Sequence, residues 1–591
     1  MTKQWTRRQF LAMSAIGAGS AVLSMGLTGC SDSNSNKESI RVAFHHGVAS
    51  GDPTHSSVII WTRVSPELAT DLSKEVEVSW QVAEDQDFNQ MVTDGSMKTS
   101  VDRDFTVKVD AAGLVSGQQY FYRFKSADTT SAVGKCKTLP MGAVNDVKLA
   151  VVSCANFPAG YFHVYQDIAQ QSDLDAVIHL GDYLYEYGRG GYGSDTAAEL
   201  GREVLPEHEM VSLADYRTRY SQYRGDQDLQ AAHAAHTFIN VWDDHEITND
   251  TWRNGAENHD ESEGDFDARK LAALQAFFEW LPIRPAGNDD FEDTIYRSFE
   301  FGELVDLHMM DTRVIGRDEQ LSFATYTDPG TGAFDANSFA ADISDANRTL
   351  LGATQLSWLE GQLTQSTKTW QVLGQQVLMG RMNLPAAIAT SQMSIPQYAE
   401  LGALAVLAQR AQAGDATLTA DELAYLQANA QRLTPQVVAL LQLPSIPYNL
   451  DAWDGYAYER ERVFGAARTS QSNLVVLAGD THNAWASNLI DADGYAVGVE
   501  FATSSVSSPG LENYLAIPES EVTATEAGIV GLVDDLQYMN INNRGYMVVS
   551  FTPQSAISEW RYVSDIQSAS YSRITGREHS LSVSVGNNQL G

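Results

Sequence analysis

Between about Ile40 and Pro140, apolar and polar residues alternate in short runs divided by turn residues. SSVIIWTRV, VEVSWQVAE, FTVKVDA and QYFYRFKSA each have the period of two that buries one face of a strand. Together they predict a β-sandwich over residues 40–140 with Trp61 and Trp80 as core aromatics. After Pro140 the runs lengthen, become almost wholly apolar and alternate with helical stretches, the pattern of an α/β domain whose strands are covered on both faces. The strands expected are VKLAVVSCANF, DAVIHL, HTFINVWDDHEITND, LVDLHMMDTRV, TWQVLGQQVLM and SNLVVLAGDTHNAW. Ala403 to Leu443 is rich in Ala, Leu and Gln and interrupted near Gly414, which predicts a helical insertion within residues 385–450.

Metal-capable side chains gather where these strands end, the place where open α/β sheets hold their ligands. Cys154 ends the first strand; Asp182 and Tyr185 follow Gly181, whose missing side chain lets the backbone turn tightly. Asp243, Asp244, His245, Glu246 and Asn249 leave the next, and Asp480 and His482 leave the last. Thiolate, phenolate and imidazole from Cys154, Tyr185 and His482 suit a strongly Lewis-acidic iron, and Asp182 can reach a neighbouring ion. No histidine lies between His308 and His482, so a second position would see mainly oxygen: Asp182, Asp244, Asp480 and Asn249. Hard oxygen ligands favour calcium, with magnesium or manganese as alternatives. His45, His46, Asp52 and His55 read as turn chemistry, and Thr419 to Glu422 as a helix cap, because the twelfth position of GDATLTADEL is Leu426 where a calcium loop needs Glu.

The balance of 76 acidic against 39 basic residues, a formal charge of −37, speaks against a nucleic-acid-binding surface. An anionic phosphate ester would need concentrated local cations, which bound metal ions supply. Residues 1–29 carry TRRQFLA, the paired arginines of a twin-arginine export signal, followed by Leu27-Thr28-Gly29-Cys30, a lipobox. These predict passage through the twin-arginine machinery, a lipid on Cys30, a polar tether over residues 30–39 and a periplasmic or cell-surface location.

SGDPTHSSVIIWTRV, SCANFPAGYF, HLGDYLYEYG, WDDHEITND, MMDTRV, AWDGY, LAGDTHNAW and EFATSSVSS, in this order across roughly residues 41–580, resemble the alkaline phosphatase D family of metallophosphoesterases. The resemblance implies an α/β fold, a four-layer αββα catalytic core over residues 141–591 behind a fibronectin-like sandwich. GLVSGQQYFYRF resembles the tyrosine corner of such sandwiches, with a packing role for Tyr120 or Tyr122. It further implies a ferric ion held by Cys154, Asp182, Tyr185 and His482, calcium held by Asp182, Asp244 and Asp480, and a second calcium near Asn249. The expected activity is hydrolysis of phosphate monoesters and diesters by a metal-activated hydroxide.

In that mechanism His245 donates a proton or steadies the phosphoryl group, or else orients Asp244. Arg313 pairs with a phosphate oxygen, or else with Asp311. Cys136 and Cys154 permit a disulfide outside the cytoplasm, whereas position and family favour Cys154 as a ligand and Cys136 as a buried thiol. The family suggests that Tyr562 to Leu581 is a closing helix that restricts substrate access; Tyr571 and Arg573 are its expected site-facing residues, and Glu500 to Gly510, a polar loop after a strand, is expected to support the site. Some phospholipases D share the family. A binding lipoprotein with an inactive α/β domain is the alternative from another class, and the filled ligand positions favour the enzyme.

Overall fold

The computed structural model describes residues 40–285 and 294–591; the export signal, Cys30 and the tether lie outside the described residues. The long apolar runs form two sheets. The first orders its strands His579–Ser584, Ser555–Tyr562, Gly545–Phe551, Val147–Val152, Ala176–His179, Thr237–Asn240, Val48–Gly51, Ser57–Arg63 and Thr106–Ala112. The second runs Arg297–Phe301, Val305–Met309, Trp370–Gly374, Leu474–Ala478, Ala496–Ala502, Ala484–Ile490 and Leu536–Asn540.

The strands that read as continuously apolar are the parallel ones. Val147–Val152, Ala176–His179 and Thr237–Asn240 pair in parallel in the first sheet, and Val305–Met309, Trp370–Gly374, Leu474–Ala478 and Ala496–Ala502 in the second. Both faces are covered, as such strands require. One apolar cluster joins Val151, Ile178 and Ile239 to Val372, Val475 and Leu477, and includes Tyr220 and Phe277 from the helices Leu213–Arg224 and Phe266–Trp280. A second packs Leu373 and Val476 beneath Leu359 and Phe464 of the helices Gly352–Gln365 and Ala457–Ser470. The parallel strands therefore deliver their carboxyl ends to one seam, where Ser153 and Ser505 bridge the two sheets.

The four expected N-terminal strands are present, but they are shared between two sheets. Val76–Ala83 and Gln119–Ser126 belong to a separate five-stranded sheet, whereas Ser57–Arg63 and Thr106–Ala112 extend the large sheet through Val48–Gly51, which pairs in parallel with Thr237–Asn240. The sequence boundary at residue 140 is thus no boundary of hydrogen bonding. Gly51 makes that junction possible, since a Cβ there would sit 2.4 Å from the Pro282 carbonyl oxygen. Trp61 is fully buried but donates to the Glu279 carbonyl of the helix Phe266–Trp280, so it locks the N-terminal strands onto the α/β region. Trp80 is only half-buried, lying over Gly95. Tyr120 is buried and accepts the Val115 N–H at 2.8 Å, the packing role expected of it or Tyr122.

The closing helix expected over Tyr562 to Leu581 is not formed. The segment is a hairpin-like excursion between Ser555–Tyr562 and His579–Ser584. Its serines bond locally, Ser568 to Asp565, and Val563 bridges Arg573, so the backbone finds turn partners in place of a helical ladder. Tyr571 stacks on His163 and Arg573 pairs with Glu578. The 385–450 insertion is helical as expected, with Ile395–Gln412, Ala420–Asn429 and Pro435–Leu441. Gly414 sits at φ +72° in its interruption, and Thr419 and Glu422 form the capping box.

Candidate metal centre

At the seam between the sheets, turns place the side chains of several strand exits toward one point. Cys154, Asp182, Asp480 and His482 adopt left-handed backbone, at φ 61°, 53°, 63° and 64°. A residue with a Cβ loses about 1 kcal/mol or more in that region, and such strain concentrates at functional sites. Gly181, at φ +111°, allows the approach: a Cβ on it would lie 2.4 Å from the Asp243 nitrogen. Glu246 ties the two exits together by accepting the N–H groups of Asp182 (3.0 Å), Tyr183 (2.5 Å) and Asp243 (2.8 Å).

The expected set of soft donors converges. Ligand atoms of Cys154, Asp182 and His482 lie within 4.8 Å of one another. The Tyr185 hydroxyl is 3.0 Å from both Asp182 Oδ2 and His482 Nε2. Cys136 and Cys154 are both free thiols, and Cys136 is remote on the strand Gly134–Lys137. The oxygen donors gather alongside, Asp182 with Asp244 and His245, and Asp244 with Asp243 and Asp480. Asn249 stands at the edge, its side-chain N–H donating to Glu257 at 3.1 Å. His46, Asp52 and His55, expected as turn residues, lie elsewhere: His46 bonds Ser221, Asp52 pairs with Arg297, and His55 contacts the Leu139 carbonyl.

Arg313 does not pair with Asp311. Asp311 instead accepts the indole N–H of Trp242 and the backbone N–H groups of Arg313 and Val314. The Arg313 guanidinium is fully buried and engages Asp243 at 2.5 Å, Asp451 at 2.8 Å and Asp480 at 2.9 Å, so it holds the carboxylates in register. His245 donates its Nδ1–H to Glu186 Oε2, 2.7 Å away, and its Nε2 makes no hydrogen bond among the described residues. Glu186 is itself fully buried and also accepts from Thr248, the Asn249 N–H and Asn258.

The electrostatics favour bound cations. Burial first, then neighbouring acids, holds Asp182 and Asp480 well above the carboxylate range, although His245 and Arg313 respectively pull them down. Burial works against a charged His245, but Asp244, Glu186 and Asp182 outweigh it and raise its pKa well above the usual value. Among the described residues, the five carboxylates of Asp182, Asp243, Asp244, Asp451 and Asp480 face three local positive groups, Arg313, His245 and Arg317, the last pairing with Asp451. Asp182 Oδ1 and Asp243 Oδ2 are buried without a hydrogen-bond partner, and burying such an oxygen unmatched is costly. The donor set fits iron on the sulfur, phenol and imidazole side and a hard divalent cation on the oxygen side.

Three participants, Glu186, Asp451 and Tyr192, carried no spacing signal in the sequence. Glu186 acquires its role from His245, 59 residues away, and Asp451 from Arg313, 138 residues away. Glu246 acts on backbone groups. The Tyr192 hydroxyl donates to the Pro509 carbonyl at 2.6 Å and therefore accepts from His482 Nδ1 at 3.1 Å. That assignment leaves the Nε2 lone pair directed at the cluster. Ser508, within the loop expected to support the site, donates to the Cys154 carbonyl and lies 2.7 Å from the Tyr185 hydroxyl.

Comparison with known proteins identifies the family. A family model described as PhoD-like phosphatase matches residues 149–560, and the model of the N-terminal domain of PhoD-like phosphatases matches residues 29–140. The chain is similar to alkaline phosphatase D of Bacillus subtilis, at 33% identity over 573 residues, covering 94% of this chain and 84% of that protein. It is also similar to a solved structure of PhoD, with a TM-score of 0.71 at 30% identity over 94% of this chain and 92% of the other.

Proposed function

The chain belongs to the PhoD-like phosphatase family and is a phosphoric ester hydrolase; from that premise we propose that it is a metal-dependent alkaline phosphodiesterase and phosphomonoesterase working outside the cytoplasm. The observation that carries the metal dependence is the convergence of Cys154, Asp182, Tyr185 and His482 beside Asp244 and Asp480, with Asp182 Oδ1 buried and unmatched. In this reading the first four hold a ferric ion, Asp182, Asp244 and Asp480 hold calcium, and Asn249 serves a second calcium after leaving Glu257. The sheets and their helices are read as a four-layer αββα core carrying a fibronectin-like sandwich. The sequence supports export by the twin-arginine route and a lipid anchor on Cys30. A phospholipase D-type preference for phosphodiesters is the variant reading within the same chemistry.

When bound, such ions polarise a phosphoryl oxygen and acidify water. The chain's own residues do the remainder. Arg313 keeps Asp243, Asp451 and Asp480 from drifting apart under mutual repulsion. Glu186 fixes the His245 ring and sustains its proton, so that Nε2 can donate to the departing alkoxide. Tyr192 keeps His482 in the tautomer whose Nε2 faces inward.

The test compares hydrolysis of a nitrophenyl monoester and diester by native, chelated and iron-plus-calcium-repleted protein. Chelation should abolish turnover and repletion restore it, and Asp182→Asn should lower kcat/KM by about a hundredfold or more. Undiminished turnover in Asp182→Asn, or in thoroughly chelated protein, would refute the proposal.

A further inference from the structure

Three nearly parallel rings lead from His482 toward solvent. Tyr192 stacks on the imidazole with centroids 5.9 Å apart at 21°, and Tyr514 stacks on Tyr192 at 6.1 Å and 9°. Exposure rises along the series: His482 is buried, Tyr192 half-buried and Tyr514 64% exposed. Tyr187 flanks the inner end, 6.1 Å from Tyr192 and 5.5 Å from His245.

A single exposed aromatic needs no explanation, but Tyr514 is held in place. It ends the helix Leu511–Tyr514, whose first N–H is accepted by Asn483 Oδ1 at 3.1 Å. Asn483 adjoins His482 in the chain and is itself anchored, donating to the Ile541 carbonyl at 2.6 Å. Leu515, 49% exposed, continues the apolar surface. The rim is thus tied to the residue following a candidate ligand.

We propose that Tyr514 is a stacking platform for the leaving group of a small phosphate ester, so that the enzyme favours esters of planar alcohols, aryl or nucleoside. This rests on the phosphoesterase reading above, with the phosphoryl group at the cluster and its substituent lying outward along the rings. Tyrosine faces bind planar groups through area and π-interaction without a charge requirement. The net charge of −37 repels a long polyanionic strand and leaves small esters as the fitting class.

The test measures kcat/KM of the metal-repleted full-length enzyme on three diesters: bis-nitrophenyl phosphate, a nucleoside methyl phosphodiester and glyceryl methyl phosphodiester. The planar-to-aliphatic ratio, with each ester referred to its wild-type value so that leaving-group acidity cancels, should fall about tenfold in Tyr514→Ala and persist in Tyr514→Phe. A fall for only one of the two planar esters identifies which source of ring the platform serves. An unchanged ratio in Tyr514→Ala, or an equal loss on all three esters, overturns the platform. Absence of turnover on every ester by the wild type overturns the hydrolase reading itself, so the two failures are distinguishable.

Discussion

His482 has two ring nitrogens, and a single hydroxyl decides which of them faces the cluster. Because Tyr192 must donate to the Pro509 carbonyl, it can only accept from Nδ1, and the Nε2 lone pair is thereby presented inward. Tyr192→Phe removes the acceptor for Nδ1 and the donor to the Pro509 carbonyl and keeps the half-buried ring. Partners of this kind typically contribute tenfold to a hundredfold in metal affinity. Titrating iron into chelated Tyr192→Phe should show a loss of that size with an unchanged circular dichroism spectrum; wild-type affinity would mean that His482 is oriented by its backbone alone. Glu186 has the corresponding relation to His245, and Arg313 to three carboxylates at once. Each of these residues acts on another side chain, which is why its part is invisible until the neighbour is in place.

At the scale of the element, the strand exit is the working unit. The strand Ala176–His179 buries all four residues and then must turn within three positions to present Asp182. Gly181 supplies the turn, and Glu246 accepts the N–H groups that the turn leaves without a ladder. Gly181→Ala combines an unfavourable φ with a backbone collision at 2.4 Å, so it should cost several kcal/mol, at or above the roughly 1–2 kcal/mol of the left-handed conformation alone. Gly190→Ala is the control, at φ +78° with nothing within 4 Å; it should cost only about 1 kcal/mol. Denaturant midpoints and iron content of the two variants check this, and equal midpoints would show that the Asp182 turn tolerates a Cβ. The terminal excursion shows the opposite balance: between Tyr562 and Leu581, Asp565 and Ser564 side chains accept the backbone N–H groups of Gln567 and Ser572, and the helix implied by family resemblance does not form.

Over the whole molecule, five clustered carboxylates beside three cationic side chains, Arg313, Arg317 and His245, make stability depend jointly on metal and pH. Without bound cations, burial raises Asp243 from 3.8 to about 6, opposed by Arg313 and helped by Asp244, and burial with Asp451 and Asp244 raises Asp250 to about 7. A folded-state pKa above the unfolded one gives stability that is complete below the unfolded value, about 4, and is lost as pH rises through 6 to 7. Bound cations replace those protons and remove the slope. The difference in unfolding free energy between repleted and chelated protein should therefore widen from pH 5 to pH 8, by up to about 1.4 kcal/mol per pH unit for each proton involved. Thermal and urea unfolding at both pH values test this; a constant difference would separate the carboxylate cluster from metal binding. The acidic surface, the strands and the exits carrying Cys154, Asp182, Tyr185, Asp244, Asp480 and His482 were all legible in the sequence, because burial imposes a local periodicity and because glycine and ligand-type residues mark the ends of buried runs. Only the tertiary structure joined the N-terminal strands to the large sheet, turned Arg313 onto Asp243, Asp451 and Asp480, and put Tyr192 and Glu186 behind the two histidines. Hydrogen-bond partnership and sheet register depend on distances between segments far apart in the chain, and no local pattern encodes those distances.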